Sequence, residues 1–111
     1  VVNVKPARLG GPLGAADLAR AAADAGCGVF VGGMLETAVG RAAALAVAAL
    51  PVCTLPTDLG PSARYVDTDV AGPVGCDADG RVLVPTGPGI GVSPDPARLE
   101  PLTLDHRRWV R

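Results

Sequence analysis

The most restrictive feature of this sequence is an alternation that runs through its first half. Residues 1–5 are mostly β-branched and read as a strand, followed by a turn-rich loop, Pro6–Pro12, that holds Gly10 and Gly11. Leu13–Ala25 places Leu13, Ala16, Ala19 and Ala23 on one stripe, with Asp17, Arg20 and Asp24 off it. This predicts an amphipathic helix closed by Gly26. Gly28–Val31 is a short apolar strand and Gly32-Gly33 a break. Leu35–Leu50 is a second helix, apolar on most sides and stopped by Pro51. Val52–Leu55 reads as a third strand. Alternation of strand and helix gives parallel strands joined by crossover helices. The strands are continuous apolar runs, which predicts burial on both faces. Two βα units can neither close a barrel nor complete a sheet. The chain also opens in mid-strand, at Val1-Val2-Asn3-Val4-Lys5, so it is expected to be a piece of a longer protein.

The second half changes character. Pro56–Pro73 is irregular, with a short helix expected near Ser62–Val66. Gly75–Val84 reads as a hairpin turning at Asp77-Ala78-Asp79-Gly80. The tail from Ser93 is polar, with Trp109 as its expected anchor.

Composition narrows the function. The 111 residues make one domain at most. Hydrophobic residues reach 49 %, but alanine dominates them, so the core is thin unless it packs against something else. A net charge of −1 and an aromatic content of 3 % argue against nucleic acid as a partner, whether held by a basic surface or by stacking. Cys27, Cys53 and Cys76 are odd in number and lack CxxC spacing. They predict neither a disulfide framework nor a zinc site and fit a reducing, cytoplasmic setting. Ala42–Val52 is apolar but too short to span a membrane, and Pro51 interrupts it, so no membrane partner is expected.

Chemistry in parallel α/β folds gathers at the carboxyl ends of the strands. Lys5, the single lysine beside nine arginines, stands at such an end. A strand-end lysine either reaches to solvent or serves as an acid or base; position alone gives the two readings even weight. Gly32 and Gly33 follow the second strand, where the absence of a side chain lets a ligand approach the backbone. The N–H groups of the helix that follows could hold an anion. Met34 reads equally as pocket wall or core filler. Glu36 is read first as a carboxylate stabilising that helix start. Asp58, after the third strand, is a turn residue or a third polar group of the same rim. Gly87-Pro88-Gly89-Ile90-Gly91 has the look of a nucleotide loop, but no helix follows it, so a tight turn is expected. His106 has no partner at metal-ligand spacing and reads as a surface residue.

Taken in order, the segments Asn3–Gly11, Gly32-Gly33-Met34-Leu35-Glu36-Thr37 with Gly40-Arg41-Ala42, Leu55-Pro56-Thr57-Asp58 and Val84–Val92 resemble the C-terminal part of enolase-superfamily enzymes. The subgroup is the muconate-lactonizing one, and within it the o-succinylbenzoate synthases, some of which also racemise N-acylamino acids. The resemblance covers residues 1–93. It implies an α/β fold: the last three strands of a (β/α) barrel, with residues 1–60 as barrel units and 61–111 returning to a capping domain. It implies a metal-dependent dehydratase acting through an enolate in menaquinone synthesis, or alternatively a racemase or another cycloisomerase. Lys5 would be one of two active-site lysines that face each other across the substrate. Gly32, Gly33 and Met34 would line the pocket beside the acyl portion, and Asp58 would stand on its rim. Mg²⁺ is the implied cofactor, with its ligands on earlier strands outside this chain and none within it. The implied partners are a small carboxylate substrate, the remaining N-terminal part, and further copies of the complete protein. Ala63-Arg64-Tyr65 departs from the Asp-Arg-Tyr common in relatives. A reading from another class, a non-catalytic barrel piece or a phosphate-binding βα module using Gly32-Gly33, requires neither Lys5 nor the Pro-Thr-Gly-Pro-Gly segment.

Overall fold

A computed structural model describes residues 1–110. Strand β1 (Val2–Val4) and strand β2 (Val29–Val31) pair in parallel, with Val2 opposite Val29, Asn3 opposite Phe30 and Val4 opposite Val31. Helix α1 (Pro12–Asp24) crosses between them, and helix α2 (Ala38–Ala48) follows β2. Val4, Val29 and Val31 are fully buried beneath the helices, each worth roughly 1.5–3 kcal/mol over an exposed position. The other face carries Asn3, which is exposed, and Phe30, which is half-buried. The expectation of burial on both faces is therefore corrected: only one face of the two strands is covered within this chain.

Alanine builds the contact between helices and sheet. Ala15, Ala19 and Ala22 of α1 meet Ala38, Ala44, Leu45 and Val47 of α2 in the same core. The buried stripe of α1 is Ala15, Ala16, Ala19 and Ala22, which corrects the expected phase: Leu13 is 82 % exposed. The smallest side chains face the sheet because they allow the closest approach. α1 ends as Gly26 requires. Gly26 takes φ +75°, its N–H donates to Ala23 O, and Cys27 N–H donates to Ala22 O. Those two bonds make a Schellman motif, which satisfies two carbonyls of the last turn.

α2 starts three residues later than the apolar pattern suggests, at Ala38 and not at Leu35. Its N-cap, Thr37, makes no side-chain cap. The free helix start is served from a distance by Asp69, whose two carboxylate oxygens each lie 2.9 Å from Ala38 N. Asp69 is buried, with 8 % exposure. Burial pushes its carboxyl up, but the backbone N–H groups of Ala38, Val70 and Ala71 and the nearby Ser62 hydroxyl outweigh this and hold it below the ordinary aspartate value. A lowered carboxylate stabilises the fold fully above its ordinary titration range. That contribution is lost as pH falls through the depressed value. Asp69→Asn is expected to cost about 1–3 kcal/mol near neutral pH. In denaturant titrations of the complete protein, the gap to the parent should narrow as pH drops below the ordinary aspartate range. A gap independent of pH would contradict the assignment.

Val52–Leu55 does not form the expected third strand. Leu55 N–H donates to Val29 O at 3.1 Å, which lays the segment beside β2. The Thr57 hydroxyl, and not its backbone N–H, donates to Val31 O, the next acceptor along β2. One backbone bond and one side-chain bond stand where a strand would have a regular ladder.

The short helix expected near Ser62–Val66 is a 3-10 turn at Ser62–Arg64. The hairpin is present but shorter than expected, held by one antiparallel bridge between Cys76 and Val82, with Gly80 at φ +77° in its turn. Pro85–Gly91 is a tight turn, with Gly91 N–H on Pro88 O at 3.2 Å. In the tail, a helix α3 (Pro96–Leu99) was not anticipated. Asp95 caps it by accepting from Ala97 N at 2.9 Å. Trp109 is 88 % exposed and does not serve as the expected anchor among the described residues. Among the described residues no helix is long and apolar enough to cross a membrane.

Candidate active site

The parallel ladder sets the geometry of the rim. Gly32 N–H donates to Val4 O at 2.9 Å, extending the β1–β2 pairing by one step. The residues immediately beyond, Lys5 and Gly33, are thereby brought side by side. The Lys5 Nζ donates to Gly33 O at 2.8 Å. Gly33 N–H in turn donates to Asp58 Oδ1 at 2.6 Å. Three groups that follow three consecutive apolar segments thus meet in one row, as their positions in the sequence suggested. Lys5 is half-buried and Asp58 exposed.

A pocket of about 210 Å³ opens at this row, lined by Gly33, Met34, Leu35, Asp58 and Tyr65. Met34 is 37 % exposed, so it is wall and not core. Gly32 lies just below the rim: a Cβ there would meet the Asn3 side chain at 2.3 Å. Leu35 and Tyr65 were named in the sequence only within motifs and not as site residues. Tyr65 closes the 3-10 turn Ser62–Arg64.

Glu36 precedes α2 and does not cap it. Its carboxylate lies 3.4 Å from the Nη1 of Arg41, which corrects the reading of Glu36 as a helix-start charge. Arg41 was seen in the sequence only as part of a motif. It is 1 % exposed, donates from Nη2 to Met34 O at 3.1 Å, and stands 5.8 Å from the centre of the Tyr65 ring.

The cysteines take no part in the rim. Cys53 donates its S–H to Val47 O at 3.3 Å, and burial pushes its thiol up, away from the reactive thiolate form. Among the described residues no three His, Cys, Asp or Glu side chains converge on one point, so this chain's own residues do not fit a metal centre. The Gly33 amide, which an anion-binding βα module would use, is engaged by the Asp58 carboxylate.

A lysine ammonium at the end of a parallel strand, bonded to the glycine turn that lines a pocket, can stabilise negative charge on a bound carboxylate or exchange a proton with it. An N-succinylamino acid racemase of an Amycolatopsis species is 46 % identical over 99 % of this chain and 29 % of its own length. The o-succinylbenzoate synthase of Bacillus subtilis is 38 % identical over 83 % of this chain and 25 % of its own. The chain therefore spans little more than a quarter of these curated relatives. An enolase-superfamily protein of Listeria innocua superimposes with a TM-score of 0.81 at 38 % identity, over 89 % of this chain and 27 % of that one. The muconate lactonizing enzyme of Klebsiella pneumoniae gives 0.76 at 35 %, over 93 % and 29 %. Residues 1–98 match the enolase C-terminal domain-like family. The chain belongs to that family, and its fold is a portion of the family's (β/α) barrel.

Proposed function

We propose that this chain supplies the last strand ends of the active site of an o-succinylbenzoate synthase, with Lys5 as its catalytic cation. The observation that supports this most is the row Lys5–Gly33–Asp58 at the mouth of the pocket. In dehydration, a base on the far side would take the α-proton, the electrons left behind would build up on the substrate carboxylate as an enolate, and their return would break the β C–O bond, the same base giving its proton to the departing oxygen to release water. The Lys5 ammonium would meet the enolate charge. Its hydrogen bond to Gly33 O keeps it extended along the rim. Gly32 and Gly33 leave room for the acyl portion, Met34 walls it, and Asp58 fixes the turn through the Gly33 amide. Magnesium, where the complete protein carries it, would be held by residues outside this chain. Residues 61–111 would lead back to the capping domain.

A second reading is favoured by a specific observation: two N-succinylamino acid racemases, 46 % and 42 % identical, match 99 % and 100 % of this chain. In racemisation Lys5 would give and take the proton on one face. The test is a side-by-side assay of the complete protein for dehydration to o-succinylbenzoate and for racemisation of N-succinylamino acids. Turnover of the first supports the primary reading, and turnover of the second alone supports the other. Turnover of neither, in a folded protein supplied with magnesium, ends both.

A further inference from the structure

We infer that Arg41 is a positioning residue for Lys5, acting through the Gly33–Met34 turn. The inference rests on the reading of Lys5 as the active-site ammonium. A guanidinium at 1 % exposure is costly unless its charge and its N–H groups are used. Here the charge faces one carboxylate and a single N–H group holds a carbonyl, while Nε and Nη1 make no hydrogen bond among the described residues. Nη2 holds Met34 O at 3.1 Å, and Nη1 faces the Glu36 carboxylate at 3.4 Å. These two anchors lie one and three residues beyond Gly33. The turn they fix presents Gly33 O to Lys5 Nζ at 2.8 Å and Gly33 N–H to Asp58 at 2.6 Å.

The fit beneath the turn is close. A Cβ on Gly33 would come within 2.6 Å of Arg41 Nη1, whereas Leu59 Cδ2 and Asp58 Oδ1 would stand at 3.4 and 3.5 Å. Gly33 thus sits directly on the guanidinium, and the height of its carbonyl follows that of Arg41. The Tyr65 ring, 5.8 Å from the guanidinium carbon, borders the same pocket and limits sideways movement. At 1 % exposure Arg41 does not reach a substrate, so its effect on the reaction passes through the turn. A planar fork can hold a carbonyl and a carboxylate together, whereas a lysine ammonium at that depth serves as a single point charge.

The experiment compares Arg41→Met and Arg41→Lys with the parent in the complete enzyme, as kcat per folded molecule and as KM. A misplaced catalytic group acts on the transition state. Arg41→Met is therefore expected to lower kcat about 100-fold, with KM changed by less than about threefold. Arg41→Lys should recover part of this, to within about tenfold of the parent. A purely structural role would lower the melting temperature and the folded fraction but leave kcat per folded molecule at the parent value, and that result overturns the inference. Should Arg41→Met not fold, Arg41→Lys decides alone: reduced kcat at constant KM supports the inference, and parent kcat refutes it. Lys5→Ala separates the two levels. If it keeps parent turnover, the reading of the site fails. If it is inactive while both Arg41 variants match the parent, only the positioning role fails.

Discussion

Lys5→Ala in the complete enzyme is expected to lower turnover about 10³-fold or more while leaving the fold intact. The two effects separate because Lys5 is half-buried and its side chain makes one hydrogen bond among the described residues, to Gly33 O. Losing one such bond at a partly solvated position costs about 1 kcal/mol, too little to unfold a domain. Losing the cation that meets an enolate removes stabilisation realised only in the transition state. Circular dichroism and a thermal melt should therefore match the parent while the rate does not. Lys5→Arg divides the two proposed reactions further. Arginine stays protonated throughout the working range. A dehydratase that needs a fixed cation here would keep part of its rate, whereas a racemase that needs a proton given and taken would lose nearly all of it. Parent-like rates in Lys5→Ala would remove Lys5 from the mechanism.

The second large effect concerns stability. Gly14 lies in the first turn of α1, and a Cβ on it would come within 2.3 Å of the Leu9 carbonyl oxygen. That oxygen belongs to the backbone and cannot rotate away. Either the helix or the 3-10 turn Pro6–Arg8, which starts directly after Lys5, has to move. Helix propensity alone would have Gly→Ala stabilise by up to about 1 kcal/mol. Overpacking reverses the sign, and Gly14→Ala is expected to destabilise by about 3 kcal/mol. Gly72→Ala is the control. Nothing lies within 4 Å of a Cβ there, so its effect should stay within about 0.5 kcal/mol. Equal melting temperatures for the two variants would show that the packing of α1 on that turn is looser than described.

The rim was legible in the sequence because each of its members stands within three residues of the end of an apolar run. Lys5, Gly33 and Asp58 needed only the rule that parallel strands present their carboxyl ends together. Arg41, Tyr65 and Asp69 were not legible as a supporting layer. Asp69 reaches Ala38 across 31 positions, and no local spacing encodes such a contact. The third strand was misread because Val52–Leu55 has the composition of a strand but makes one backbone bond to β2, after which the Thr57 side chain takes the next acceptor. The start of α2 was misread for a related reason: Leu35 and Glu36 suit a helix, but the Arg41 guanidinium holds Met34 O in a turn instead. Helix α3 did carry a signal, Asp95 before Pro96, the usual chemistry of a helix start. Read only as chain breakers, the prolines there concealed it.

The alanine-paved contact between α1, α2 and the two strands also bears on how such a protein can diverge. Where a methyl group is the largest side chain at the seam, almost any exchange adds volume and pushes a helix off the sheet. Drift at Ala15, Ala19, Ala38 and Ala44 is confined to a few small residues. Met34 and Leu35 are exposed at the pocket and carry no such burden. New substrate preferences can arise there by single exchanges, while the layer that holds the ammonium in place stays fixed.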